Sequence, residues 1–127
     1  TFGGNPLAMA VANAVLDVVL EQGFLERVEA AGRHLAEELA GLAARHPDVV
    51  EEVRGAGLMM GLKCRVPNTE FILACHGQHL LAIGAGENVV RLLPPLIVSD
   101  AEIDEAVRRL DRACAALSPA ETAAQGQ

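Results

Sequence analysis

The chain opens on Thr1-Phe2-Gly3-Gly4-Asn5-Pro6, which joins a side-chain hydroxyl to two glycines and a helix-initiating Asn-Pro pair. An O–H beside backbone N–H groups that no Cβ shields is chemistry for an anion, and a phosphate suits it well. Asn5 is fitted to cap the helix and Pro6 to take its first position, where a missing N–H costs nothing. The positive end of the helix adds to the field there. The same residues also make an ordinary turn into a helix, and that reading stands beside the anion reading.

Arg91 is the second candidate. It is the only charge between Asn88 and Ser99, within Val89-Val90-Arg91-Leu92-Leu93-Pro94-Pro95-Leu96. A guanidinium in so apolar a run needs a counter-charge or a route to water. Its planar fork suits bidentate capture of a carboxylate, while an internal salt bridge or an outward-facing edge position would also satisfy it. Cys75, His76 and His79 cluster along the chain but do not make a closed set of four metal ligands. A polar helix surface is expected there, and no metal. Cys64, Cys75 and Cys114 are odd in number and lack Cys-x-x-Cys spacing, which fits reduced thiols in a cytoplasmic protein.

The elements that must position these groups follow from periodicity. Leu7 to Glu21 is apolar nearly all round, with Asn13, Asp17 and Glu21 in one narrow stripe, so it predicts a helix buried on most of its circumference. Gly23 is its stop. Leu25, Val28, Gly32, Leu35, Leu39 and Leu42 repeat at helical steps and predict an amphipathic helix ended by Pro47. Residues 49–54 and 58–62 read as strands joined by a Gly55-Ala56-Gly57 turn. Asn68 or Thr69 should cap a shorter helix running to about His79. Residues 80–83 and 89–93 read as two further strands around a Gly84-Ala85-Gly86 loop. Ser99 with Glu102 makes a capping box for a last helix, whose core side carries Ile103, Val107, Leu110, Cys114 and Leu117. From Ser118 the Pro, Ala, Gln and Gly content predicts a flexible tail. The expected fold class is α/β: a long buried helix, then a small domain of about four strands with packed helices.

Composition sets limits on partners. Apolar residues make up 51% of the chain, with no Trp or Tyr and three Phe, so the core must be Leu, Val and Ala packing. A net charge of −7, with Lys63 as the sole lysine, repels nucleic acid and anionic membrane, and neither is an expected partner. The apolar stretch from Leu7 to Leu20 is interrupted by Asn13 and Asp17 and is short for a bilayer.

Four stretches, in order, resemble the class III (subgroup II) pyridoxal-phosphate aminotransferases, and within them the acetylornithine aminotransferase group. They are Thr1 to Ala8, Val53-Arg54-Gly55-Ala56-Gly57-Leu58-Met59-Met60-Gly61, Gly84 to Leu96, and Val98 to Ile103. The resemblance covers roughly residues 1 to 117. It implies the C-terminal part of a type I aminotransferase fold and a homodimer with active sites at the subunit interface. It gives residues 1–24 as the end of the large cofactor-binding domain and an interdomain helix, 25–117 as the small α/β domain, and 118–127 as the tail. By the same resemblance, Thr1 binds the phosphate of the partner subunit's pyridoxal phosphate, and Arg91 pairs with the substrate α-carboxylate. The implied reaction moves an amino group between N-acetylornithine and 2-oxoglutarate, in arginine biosynthesis.

The family's Schiff-base lysine lies in the large domain, upstream of the residues matched here. Lys63 matches no catalytic position and reads as a charge at a strand end. The chain opens inside a motif and is expected to be a C-terminal fragment, inactive by itself. Two other readings remain. One is a different ω-aminotransferase, acting on ornithine, 4-aminobutyrate or a diamine. The other is a non-catalytic α/β binding or dimerisation module.

Overall fold

Asn5 and Pro6 start the first helix as their types predict. In the computed structural model, which describes residues 1–118, α1 runs Pro6–Val19, with the Asn5 side chain accepting from the Ala8 N–H at 2.9 Å. The expected burial of this helix does not come from residues 1–118. None of its residues is buried; Leu7 is 76% exposed and Leu16 51%. Its contacts within the chain are mainly with the following helix, which leaves most of its apolar circumference uncovered.

Gly23, with φ of +83°, breaks the path, and α2 (Phe24–Arg45) follows. Its inward stripe of Ala31, Leu35, Leu39 and Leu42 is buried, while Glu26, Glu29 and Arg33 stay exposed. Beyond it come β1 (Val50–Ala56), β2 (Met59–Cys64), α3 (Asn68–Gly77), β3 (Ile83–Ala85), β4 (Val89–Leu92) and α4 (Asp100–Leu117). The four strands form one antiparallel sheet in the order β1-β2-β4-β3. Helices α2, α3 and α4 cover the sheet face that carries Met60, Leu62, Cys64 and Val90, with Phe71, Ile103 and Leu110 fully buried between the layers. Residues 119–127, which hold nearly all of the expected tail, lie outside the described residues. Ser118 closes α4 by donating from its N–H to the Cys114 carbonyl. Among the described residues no single helix is long and apolar enough to cross a membrane.

Three local expectations are corrected. The first hairpin turns at Gly57-Leu58, and Gly55 and Ala56 remain in β1, opposite Met60 and Met59. Leu58 is an apolar residue that the turn itself buries, to 5% exposure, which is why its type read as strand. The third strand is Ile83–Ala85, which shares only Ile83 with the expected strand 80–83 and takes Gly84 and Ala85 from the expected loop; pairing with β4 outweighs the weak strand preference of Gly84. Neither Asn68 nor Thr69 caps α3. Pro67 occupies that position without a side-chain bond, and the Asn68 N–H donates to Asn88 Oδ1 at 2.7 Å from a distant loop. The capping box of Ser99 and Glu102 forms as expected.

Gly55 is held at φ of +147°, and a Cβ there would lie 2.2 Å from the Met59 carbonyl oxygen. The contact is to backbone of the paired strand, so no rotamer relieves it. Gly77, at the end of α3, has open space around the same position. Gly55→Ala should therefore cost about 3 kcal/mol or more of stability, through strain and overpacking. Gly77→Ala should be neutral or slightly stabilising. Urea unfolding midpoints for the two variants check this, and equal midpoints would refute the backbone clash.

Between α2 and α4 lie three acid–base contacts, centred on Asp104 and Asp111. His34 Nε2 meets Asp104 Oδ1 at 2.8 Å, and Asp111 Oδ1 meets Arg45 Nε at 2.9 Å and His46 Nε2 at 3.1 Å. The hydrogen bond to Asp104 raises the His34 pKa above its ordinary 6.5, assisted by the charges of Asp104, Asp100 and Glu38. The bond from Arg45 holds the Asp111 carboxyl below its ordinary 3.8. A raised histidine stabilises the fold fully below its unfolded pKa, and that part is lost as pH rises through the folded value. A depressed carboxyl stabilises above its unfolded pKa and loses this as pH falls. The melting-temperature difference between the unaltered protein and His34→Gln should accordingly shrink between about pH 5 and about pH 9. A difference that grows over that range would contradict the pairing.

Candidate functional site

Antiparallel pairing decides what the helix-free face of the sheet presents. Arg54 on β1, Gly61 on β2 and Arg91 on β4 are direct partners across the sheet, so their side-chain positions share one face. Met60, Leu62 and Val90, one step away, turn to the helices. Arg91 is exposed on this open face, and among the described residues it makes no ion pair or side-chain hydrogen bond. Its route to water removes the burial penalty that its apolar neighbours suggested. It is also not an edge residue, since β4 lies between β2 and β3.

Gly61 keeps the floor beside Arg91 low. A Cβ there would lie 3.0 Å from Val89 Cγ1, closer than packing permits without a shift. Arg54, on the other side of Gly61, is paired: its Nη2 meets Glu87 Oε2 at 3.0 Å. That contact and the neighbouring Lys63 charge hold the Glu87 carboxyl below the usual range. Lys63 lies within β2 rather than past its end, and its ammonium donates to the Glu87 main-chain carbonyl. Arg54 was not singled out from the sequence as a site residue. Its signal is the hairpin register, three residues before Gly57 of the turn and opposite a glycine.

The turn before Arg91 is unusually determined. Glu87 and Asn88 both have positive φ, +59° and +60°, which is costly for residues with a Cβ. Asn88 offsets this with all of its side chain: Nδ2 donates to the carbonyls of Cys64 and Val66 at 2.8 and 2.9 Å, and Oδ1 accepts from Asn68. Asn68 Nδ2 in turn donates to the carbonyls of Ala85 and Val89. The turn is thereby tied to β2, β3 and α3, and the start of β4 is set two residues before Arg91.

Thr1 stands at the other candidate position. It is exposed and, among the described residues, makes no hydrogen bond. Asn5 Nδ2 donates to the Phe2 carbonyl at 2.8 Å, which folds the Gly3-Gly4 turn ahead of α1, and nothing lies within 4 Å of a Cβ built at either glycine. No direct contact joins Thr1 to Arg91; they sit on separate elements. The elements do approach. Beyond β4, Pro94-Pro95 leads to Leu96 and Ile97, which line an apolar groove of about 430 Å³ with Val11, Val15, Val18 and Phe24.

The remaining candidates separate. Cys75 points into the core, where burial raises its thiol pKa to about 11, whereas His76 and His79 are exposed. Cys114 is likewise buried and pushed up to about 12. Among the described residues no group of three or more metal-ligating side chains converges. An open groove of about 560 Å³ between α2 and α4 is lined by Glu38, Arg45, Asp104, Arg108 and Asp111, where Arg45 pairs with Asp111, Asp104 with His34 and Arg108 with Glu105.

Comparison with known proteins covers the whole of this arrangement. The family described as aminotransferase class-III matches residues 1–114. The acetylornithine aminotransferase of Mesorhizobium japonicum is 63% identical over 110 residues, 87% of this chain and 28% of that protein. Among solved structures, the acetylornithine aminotransferase of Elizabethkingia anophelis superposes with a TM-score of 0.83 at 33% identity, covering 91% of this chain and 30% of its own. The lysine aminotransferase of M. tuberculosis superposes with a TM-score of 0.82 at 34% identity, over 87% of this chain and 26% of its own. The chain thus spans about three tenths of the length of the curated relatives it matches. In sequence and in fold alike, the chain belongs to the class-III aminotransferase family.

Proposed function

We propose that this chain is the C-terminal portion of a pyridoxal-phosphate aminotransferase that moves an amino group between N-acetylornithine and 2-oxoglutarate, in arginine biosynthesis. The observation that carries the reading is Arg91, a guanidinium on the open sheet face with no ion pair among the described residues, in a chain 63% identical to a protein named for acetylornithine transamination. Both amino acids and both oxo acids of such a reaction carry an α-carboxylate. A planar fork clear of other acids can hold that group in two parallel hydrogen bonds and orient the amino-bearing carbon.

The residues at the chain's start fit the cofactor's phosphate. Thr1 has an uncommitted hydroxyl, the two following glycines leave open space, and a helix N-terminus lies close behind. Thr1 would donate to one phosphate oxygen of a cofactor held largely by the partner subunit. Pyridoxal phosphate, when bound, supplies an electron sink and a carrier for the amino group. Lys63 does not fit the role of imine-forming lysine, since its ammonium is engaged by the Glu87 carbonyl. That lysine belongs, in this reading, outside residues 1–127, and these residues alone do not transaminate. The assembly is a homodimer, and the location is cytoplasmic, in keeping with three buried free thiols.

A second reading within the class is supported by the M. tuberculosis lysine aminotransferase, which superposes almost as well as the acetylornithine enzyme. The distal end of the amino donor then differs, while Arg91 keeps its role. Turnover by the intact enzyme on N-acetylornithine, ornithine and lysine separates the two, and preference for either unacetylated donor would overturn the first.

Arg91→Ala in the intact enzyme should lower kcat/KM for both the amino acid and the oxo acid by about 100-fold, the loss expected for a charged bidentate contact. Unchanged values for both would remove Arg91 from the site. Thr1→Val should weaken retention of the cofactor by about tenfold, the worth of a hydrogen bond to a charged group. Loss of bound-cofactor absorbance on dilution measures it, and equal retention would take Thr1 off the phosphate.

A further inference from the structure

The turn from β3 into β4 is held by more bonds than a chain reversal needs, and most of them end on Asn88. Its main-chain carbonyl accepts from the Cys64 N–H at 2.9 Å, and its Nδ2 donates back to the Cys64 carbonyl at 2.8 Å. Cys64 and Asn88 stand where the next opposed pair of the β2–β4 ladder belongs, one step beyond Lys63 and Val89. In an ordinary antiparallel rung of this kind the second bond comes from the main-chain N–H. Here a residue with φ of +60° supplies it from its side chain, so the rung closes although the backbone has left the strand conformation.

The same amide reaches further. Its Nδ2 also donates to the Val66 carbonyl, and its oxygen accepts from the Asn68 N–H. Asn68 Nδ2 then donates to the carbonyls of Ala85 and Val89, at 3.3 and 3.1 Å, which grips the chain on both sides of the turn. Gly84 leaves room for that grip: a Cβ there would press on Ile72 Cδ1 at 3.3 Å and touch Asn68 Nδ2 at 3.4 Å. Arg91 lies three residues beyond Asn88 on the same ladder, opposite Gly61. Rungs of one ladder share one register, so the rung at Asn88 sets where Arg91 stands along β2.

We propose that Asn88 is a positioning residue for carboxylate capture by Arg91. Its side chain closes the last β2–β4 rung and so fixes the place from which the guanidinium reaches a substrate carboxylate. The inference rests on reading Arg91 as a carboxylate-binding group and adds what holds that group in place. Asparagine combines tolerance of a left-handed backbone with two N–H donors and an acceptor on one short stem. Ionised aspartate has the shape without the donors, and glycine has the backbone freedom without the side chain. A guanidinium displaced along its strand loses the alignment on which a two-bond grip depends.

The test is steady-state kcat/KM for 2-oxoglutarate in the intact holoenzyme, with Asn88→Gly made alone and together with Arg91→Ala. Glycine accepts the positive φ and removes only the three side-chain bonds. Asn88→Gly should lower kcat/KM about tenfold or more, the scale of a misplaced contact. Once Arg91 is alanine, the same change should cost less than about twofold, because the group it positions is gone. General loosening of the fold would cost as much in either background. Asn68→Ala keeps the Asn88 bonds and removes those to Ala85 and Val89, so it should give a smaller loss with the same dependence on Arg91. It decides the matter where Asn88→Gly does not fold. For either variant, no loss, or a loss independent of Arg91, would overturn the proposal. Arg91→Ala alone with unchanged kcat/KM overturns the underlying reading, and this inference with it. A large loss for Arg91→Ala beside none for the asparagine variants overturns the positioning alone.

Discussion

Every second residue of β2 and β4 is drawn into the layer beneath α2, α3 and α4, because Met60, Leu62, Cys64 and Val90 lose apolar surface to water only on that side. A sheet covered on one face leaves its other face to the alternate residues. Arg54, Lys63 and Arg91 sit there for that reason, with Gly61 among them. A slip of one residue in the pairing of β2 with β4 would send Arg91 into the apolar layer and Val90 into solvent. The charge pattern of the candidate site and the hydrophobic core are thus two consequences of a single register.

That register is held by polar atoms at one end of the sheet. Asn88 spends both amide hydrogens on carbonyls of the β2–α3 connection and its oxygen on the first N–H of α3. In a half-buried setting an unmade hydrogen bond to such a backbone group costs about 1–3 kcal/mol. A helix cap supplied from twenty residues away does more than an adjacent serine could. It couples the start of α3 to the turn that launches β4, and so couples the core to the position of Arg91.

The first helix follows a different logic. Its sequence calls for a covered surface, yet within residues 1–118 it meets chiefly α2 and the Leu96-Ile97 segment, and Leu7, Val11, Val15 and Leu16 remain about half exposed or more. Contiguous apolar surface on that scale favours association with another protein surface. The chain spans about three tenths of its curated relatives, so the two observations agree in kind.

Much of this was legible before any tertiary contact was considered. Asn5-Pro6 and Ser99 with Glu102 mark helix starts because the capping atoms lie within three residues of the groups they satisfy. The stripes of α2 and α4 declare their buried faces because helical periodicity is a local property. What failed lay where a distant partner outweighed the local signal. Gly84-Ala85 entered a strand because β4 offered hydrogen bonds, and Asn68 gave up capping because Asn88 arrived from another loop. The chemistry divides in the same way. The sequence alone made Thr1 and Arg91 candidates for binding anions, since residue type and neighbours announce that much. Only the folded sheet decided that Arg91 is open to solvent, that Gly61 clears the space beside it, and that Glu87 occupies Arg54, because these relations cross strands and no spacing along the chain encodes them.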